Sequence, residues 1–207
     1  MNIKRLILQG EGTTLDFKKT ITNVEKIAKS LVAFANNKGG QLLIGVADDG
    51  SIKGVKSEDE ERYMISKSAH QFCKPAIEPE FEEIYVDDKL ILVVKIPESD
   101  TKPHYALDED KKWWVYYRVN DKSILASKII VDVIKKSGST TGALINYTDQ
   151  EKKLFEYLKL EGRITLKEFS KLTRSSYRQA QKIIVNLILG GVIRPITSEK
   201  EEYYISA

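Results

Sequence analysis

The chain has 207 residues, of which 42% are apolar and 30% charged, with 12 glycines and 5 prolines; this is the composition of folded domains and excludes a disordered or collagen-like chain. One cysteine, Cys73, and two histidines, His70 and His104, exclude an internal disulfide and a Cys/His zinc site. The formal charge of +3 lies wholly in residues 148–207, where 11 Lys/Arg face 8 Asp/Glu, while the preceding 147 residues balance at 22 against 22.

No segment approaches the roughly 18 apolar residues of a membrane span, and residues 1–10 carry no signal-sequence core. A soluble, cytoplasmic chain with no membrane partner is expected. Residues 14–18 alternate Leu15 and Phe17 with Asp16 and Lys18, the pattern of a half-buried strand. Residues 23–37 carry apolar positions at helical spacing, ended by Gly39-Gly40. Residues 41–46 form a nearly continuous apolar strand that needs cover on both faces. Asp48-Asp49-Gly50-Ser51 is a tight turn, because Asp and Gly accept positive φ, and a short strand is expected over 52–55. A helix over 58–72 and a hairpin over 81–96, turning at Asp87-Asp88-Lys89, follow. Residues 97–112 show no core pattern and are expected as a mobile loop. Residues 113–119 form an aromatic strand in which Trp113 and Trp114 should divide between core and surface, and 127–136 an amphipathic helix closing the first domain.

The polar stretch 138–147 is expected as a linker between domains at 1–137 and 148–207. Beyond it, three helix starts carry capping-box pairs: Thr148 with Glu151, Thr165 with Glu168 and Ser176 with Gln179. Only Thr173, Arg174 and Ser175 separate the second and third helices, and two short strands flank a polar tip at 197–200. Between Lys159 and Lys182 there are seven basic residues and two acidic ones, the electrostatic footprint of phosphate contact and also of an ordinary solvated helix face. Over about sixty residues this half resembles the winged helix-turn-helix family. The resemblance implies that the third helix enters the DNA major groove, with Arg174, Ser176, Tyr177, Arg178, Gln181 and Lys182 at base edges and phosphates. Arg178 and Gln181 have the bidentate geometry that reads bases, while Arg174 and Lys182 suit phosphate.

In the first half, Glu11-Gly12-Thr13-Thr14-Leu15-Asp16-Phe17-Lys18, then Ala33-Phe34-Ala35-Asn36-Asn37 with Gly39-Gly40, then Leu42-Leu43-Ile44-Gly45-Val46 with Asp48-Asp49-Gly50 stand in order. They resemble the Schlafen AlbA-type DNA-binding domain, whose members show E-S-x-x-L-E-F-K, A-F-A-N-x-x-G-G and L-x-I-G-V-x-D-x-G blocks. The likeness runs over roughly residues 8–137 and includes the Tyr116-Tyr117-Arg118-Val119 strand. It implies an α+β chain, a mixed α/β sheet domain followed by the winged helix, that binds DNA or RNA through Lys18, Lys19, Lys38 and Arg118, with Tyr117 as a stacking partner. For some relatives it implies a metal-dependent nuclease. The acids would be Glu11, Asp16 and Asp48 or Asp49, holding Mg²⁺ or Mn²⁺. Here Asp16 is one methylene shorter than the usual Glu, and Gly12 replaces the usual Ser. Without that activity no cofactor is expected. The absence of a G-x-x-x-x-G-K-[ST] loop and of a G-x-S-x-G turn sets aside ATPases of that type and serine hydrolases. Three readings result: a DNA-binding transcriptional regulator that pairs as a homodimer, a metal-dependent nuclease, or a protein-interaction module.

Overall fold

The structure is a computed structural model describing residues 2–137, 147–198 and 200–207. The chain divides into two compact units, Met1–Ala126 and Ser127–Ala207.

The first unit runs α1 (Ile3–Gln9), β1 (Leu15–Lys18), α2 (Val24–Ala35), β2 (Gly40–Ile44), α3 (Glu58–Gln71), β3 (Cys73–Lys74), β4 (Glu80–Val86), β5 (Lys89–Ile96), β6 (Tyr105–Leu107), β7 (Trp113–Trp114), β8 (Tyr116–Val119) and β9 (Lys122–Leu125). Its main sheet has the order β1-β2-β5-β4, with β1 and β2 parallel and the other pairs antiparallel. The uninterrupted apolar sequence of β2 is explained by cover on both faces. Leu42 and Ile44, with Leu92 and Val94 of β5, pack against Ile27, Leu31 and Phe34 of α2 and Ile65 of α3. Leu43, with Phe17, Ile91 and Val93, packs on the other side with Ile3 of α1. A seven-residue helix with one buried residue has no strong periodic signal, which is why α1 was not expected from the sequence.

Several expectations are corrected here. The strand expected at 52–55 is reduced to a single bridge between Val46 and Ile52. The segment 97–112 is not a loose loop: it contains β6, which pairs with β3 and β7. The Ser99 amide donates to the Ala35 carbonyl at 3.1 Å, and His104 is 3% exposed, with Nδ1 on the Pro75 carbonyl and Nε2 on Ser99 Oγ. Burial lowers the pKa of His104, in keeping with a neutral ring. Ala35, Cys73, Lys74 and Pro75 are distant in sequence, which is why the segment shows no core pattern of its own. Trp113 and Trp114 are each 40% exposed on β7, a two-residue edge strand, so the two rings do not divide between core and surface.

The second unit contains α4 (Lys128–Ser137), α5 (Asp149–Glu161), α6 (Leu166–Thr173), α7 (Tyr177–Leu189), β10 (Ile193–Thr197) and β11 (Glu202–Ser206). Helix α4, expected to close the first domain, packs in this unit: Ile129 joins the core of Leu154, Leu158, Phe169, Ile184 and Tyr204, and Asp132 accepts a hydrogen bond from Gln181 of α7 at 2.7 Å. The boundary therefore falls before α4, and residues 138–146 of the expected linker lie outside the described residues. All three capping boxes form as the sequence indicates, satisfying amides at the starts of α5, α6 and α7. The antiparallel pair β10–β11 is extended by a bridge between Ile164 and Tyr204, which tethers the start of α6 to the hairpin.

Candidate functional site

The start of β1 gathers the charged residues of the first sequence block. Asp16 is 4% exposed. Its carboxylate lies 3.0 Å from Lys18 Nζ and 4.0 Å from Arg118 Nη1. Arg118 itself is 5% exposed; Nη2 donates to the Gly12 carbonyl at 2.6 Å, Nη1 donates to Ser123 Oγ at 3.3 Å, and the guanidinium sits 4.7 Å from the Phe34 ring centroid. A cation buried among a carboxylate, a backbone carbonyl and an aromatic face holds β8 to β1 and is not positioned for a solvent phosphate. Arg118 thus leaves the set of backbone-contact candidates. Lys18 is also engaged, donating to the Phe17 carbonyl at 2.7 Å. Lys19 and Lys38 are exposed.

Glu11 accepts the Phe17 amide at 2.8 Å and is hydrogen-bonded to Asp16. Partial burial and then that carboxyl–carboxyl bond push its pKa up to about 7, against the lowering effect of the Phe17 amide. Glu11 shares a concave cleft of about 360 Å³ with Asp48, Asp49 and Asp121. Asp121 was missed in the sequence because the β8–β9 turn brings it from more than a hundred residues away. Asp49 is committed to the turn, its carboxylate accepting the Ser51 amide at 2.8 Å. Asp16 is engaged by Lys18 and Arg118, and among the described residues no three His, Cys, Asp or Glu side chains are grouped to hold a metal. No step through a metal is derived.

The raised Glu11 pKa gives a measurable pH dependence. The stabilisation from its protonated form is fully present below about 4.5 and is lost as pH rises through about 7. Glu11→Gln keeps a donor for Asp16 and an acceptor for Phe17. Wild-type stability is expected to fall between pH 5 and 8 by about 1 kcal/mol more than that of the variant, after discounting for partial exposure. Parallel melting curves across that range would contradict the shared proton.

In the second unit, the turn between α6 and α7 is drawn tight by side chains. Arg174 caps α6 in the left-handed region at φ 52°, Ser170 Oγ donates to the Ser175 carbonyl at 2.8 Å, and Thr173 Oγ1 donates to the Phe169 carbonyl at 2.8 Å. Ser176 is occupied as the N-cap of α7, its hydroxyl bonded to Gln179. Arg174, Tyr177, Arg178 and Lys182 are exposed; Arg178 and Lys182 stand one turn apart on α7, and Arg174 lies in the turn before it. Gln181 is only partly exposed, and its amide donates to Asp132. Of the six residues expected at a DNA surface, four are outward and available, one caps its helix and one ties α7 to α4.

Among the described residues no helix is long and apolar enough to cross a membrane. No curated protein matches the chain. Among solved structures it is similar to the DIP2311 protein of Corynebacterium diphtheriae, at 19% identity and a TM-score of 0.46, over 66% of this chain and 30% of that one. It is also similar to the N-terminal domain of a DNA helicase RecG-related protein of Nitrosomonas europaea, at 23% identity and a TM-score of 0.43, over 52% of this chain and 80% of that one. The chain thus spans less than a third of the first of these. The family model described as Schlafen, AlbA_2 matches residues 11–127, more than half of the chain and nearly all of the first compact unit, and the chain therefore belongs to the Schlafen AlbA_2 family.

Proposed function

We propose that the protein binds nucleic acid through both units and acts in the cytoplasm as a DNA-binding transcriptional regulator. In this reading the second unit is a winged helix-turn-helix: α6 and α7 form the helix pair, α7 enters the major groove, and the β10–β11 hairpin is the wing. The observation that carries it is the exposed set Tyr177, Arg178 and Lys182 on a helix whose residues Ala180, Ile184 and Leu187 are fixed in the core, with the exposed Arg174 in the turn before it. Membership of the Schlafen AlbA_2 family supports a general nucleic-acid-binding character for the first unit. Two linked binding units gain affinity through effective concentration, and pairing of two copies on adjacent half-sites would double the number of recognition helices.

Titration of labelled duplex DNA, single-stranded DNA and RNA at several salt concentrations tests this. Duplex DNA is expected to bind with a steep salt dependence. Arg178→Ala is expected to weaken it by about 2 kcal/mol, roughly thirtyfold, and Lys182→Ala to lower the salt slope by about 1. Binding that is insensitive to salt and to both substitutions would remove the reading and favour a protein-interaction module. The same titration with Mn²⁺ addresses the nuclease alternative: cleavage abolished by Asp16→Ala would replace the regulator.

A further inference from the structure

Helix α4 brings its charge into the second unit along with its apolar stripe. Residues 127–207 carry 14 Lys/Arg against 9 Asp/Glu, while the first 126 residues carry 19 against 21. The basic excess of the chain is therefore confined to the second unit. Within that unit the charges are not evenly spread: residues 169–198, which include the α6–α7 turn and all of α7, contain five Lys/Arg and no Asp or Glu. Helix α4 adds three lysines with Asp132 as its one acid.

The two helices meet along a seam. Gln181 Nε2 donates to Asp132 Oδ2 at 2.7 Å, and Ile129 shares a core with Ile184 and Val185 of α7. Residues three and four apart lie on one side of a helix. On α7, the exposed Arg178 precedes Gln181 by three residues. On α4, Lys128 stands four residues before Asp132 and Lys135 three after it, and both are exposed, while Ile129, Ile130 and Ile134 take the buried side. The seam is thus flanked by cations from both helices. Asp132, the acid between them, is engaged by Gln181, and the carboxylate at the start of α4, Glu202, is engaged by Ser127 and Tyr204. Lys128 and Lys135 are about 10 Å apart along the helix axis. That is too far for both to hold one small anion, and it suits the closely spaced phosphates of a duplex.

We propose that α4 is a second DNA-contacting helix, with Lys128 and Lys135 holding backbone phosphates beside the groove that α7 enters. For its partner this rests on the α7 reading above; what it adds is that the contact surface continues across the seam onto α4. Contacts of this kind fix position and add affinity without reading bases, so they act alike on every duplex sequence.

The test is fluorescence anisotropy of a labelled random-sequence DNA duplex titrated with the full chain over a range of salt concentrations. Replacing Lys128 and Lys135 together with glutamine is expected to lower the slope of log affinity against log salt by about 2, and to weaken binding about tenfold per lysine at 0.1 M salt. Asp132→Asn keeps an acceptor for Gln181 and removes the acid of the seam; it is expected to tighten binding about threefold. Loss of folding could not produce that change of sign. Lys128 and Lys135 are exposed, so the melting temperature of their variant is expected to match that of the wild type. Replacing the exposed Lys152 and Lys153 of α5 with glutamine changes the net charge equally and is expected to leave the slope unchanged. A wild-type slope in the α4 variant, or an equal fall in the α5 variant, would overturn the α4 contact and leave the α7 reading standing. Weakening by the α4 variant with none by Arg178→Ala would end the α7 reading and keep α4 as the contact. Tighter binding of single-stranded RNA, with the same loss in the α4 variant, would overturn the choice of duplex DNA, and a wild-type chain that binds no duplex would end both.

Discussion

Replacing Arg118 with methionine is expected to destabilise the first unit by about 3 kcal/mol while leaving the nucleic-acid affinity of the folded protein unchanged. The guanidinium is buried and ties β8 and Ser123 to parts of the chain more than eighty residues earlier: the Gly12 carbonyl, Asp16 and the Phe34 ring. Methionine fills much of the volume but leaves Asp16 with only Lys18 as a compensating charge. Breaking a buried ion pair from one side is costly because the remaining charge stays desolvated. Asp16→Asn in the same background is therefore expected to recover part of the loss, which makes the pair a double-mutant cycle. Both tryptophans, Trp113 and Trp114, lie in the first unit, so tryptophan fluorescence in urea follows that unit by itself. A variant with unchanged stability and tenfold weaker binding would restore Arg118 to the phosphate contacts.

Asn36→Ala is expected to cost about 4 kcal/mol, since it would remove the side-chain partner of three backbone groups at once, two of them buried. Asn36 is 5% exposed at the end of α2. Its Nδ2 donates to the His104 carbonyl at 2.9 Å and to the Tyr116 carbonyl at 2.8 Å, and its Oδ1 accepts the His104 amide at 2.7 Å. One amide side chain therefore clamps the helix end to the segment before β6 and to the start of β8. Asn36→Asp is expected to be equally damaging, because a carboxylate would face two carbonyls in place of the donating NH₂. Urea titration by tryptophan fluorescence measures the loss, and hydrogen exchange at the His104 amide should accelerate sharply. A cost below about 1 kcal/mol would mean that water replaces the clamp.

The same residues mark the limit of what was legible in the sequence. Local rules reached far where they govern structure through neighbours in the chain. The capping boxes of Thr148, Thr165 and Ser176 each formed, the β4–β5 hairpin turned at Asp87 and Asp88 with positive φ, and Asp49 closed its turn on Ser51. The spacing of three blocks over residues 11–50 was enough to indicate the family, because those blocks encode local geometry that any member must repeat. At Gly39 the reason is visible: φ is +70°, and a Cβ would meet the Ile96 carbonyl oxygen at 2.6 Å.

What a side chain does once its element is formed depended on partners far along the chain. The sequence offers Arg118 and Gln181 as nucleic-acid contacts; only tertiary structure places Asp16 beside one and Asp132 beside the other, turning candidate ligand contacts into internal ties. It likewise moved α4 into the second unit, because an amphipathic stripe states that a helix needs a core without stating which. The placement of Leu15, Gln41, Lys95 and Glu80 side by side exists only through strand register, a property of four separated segments that no single segment carries. Local conformation is set by short-range sterics and hydrogen bonds, which the sequence displays directly. Burial and electrostatic pairing are set by which distant surfaces meet, and that was decided by the tertiary structure alone.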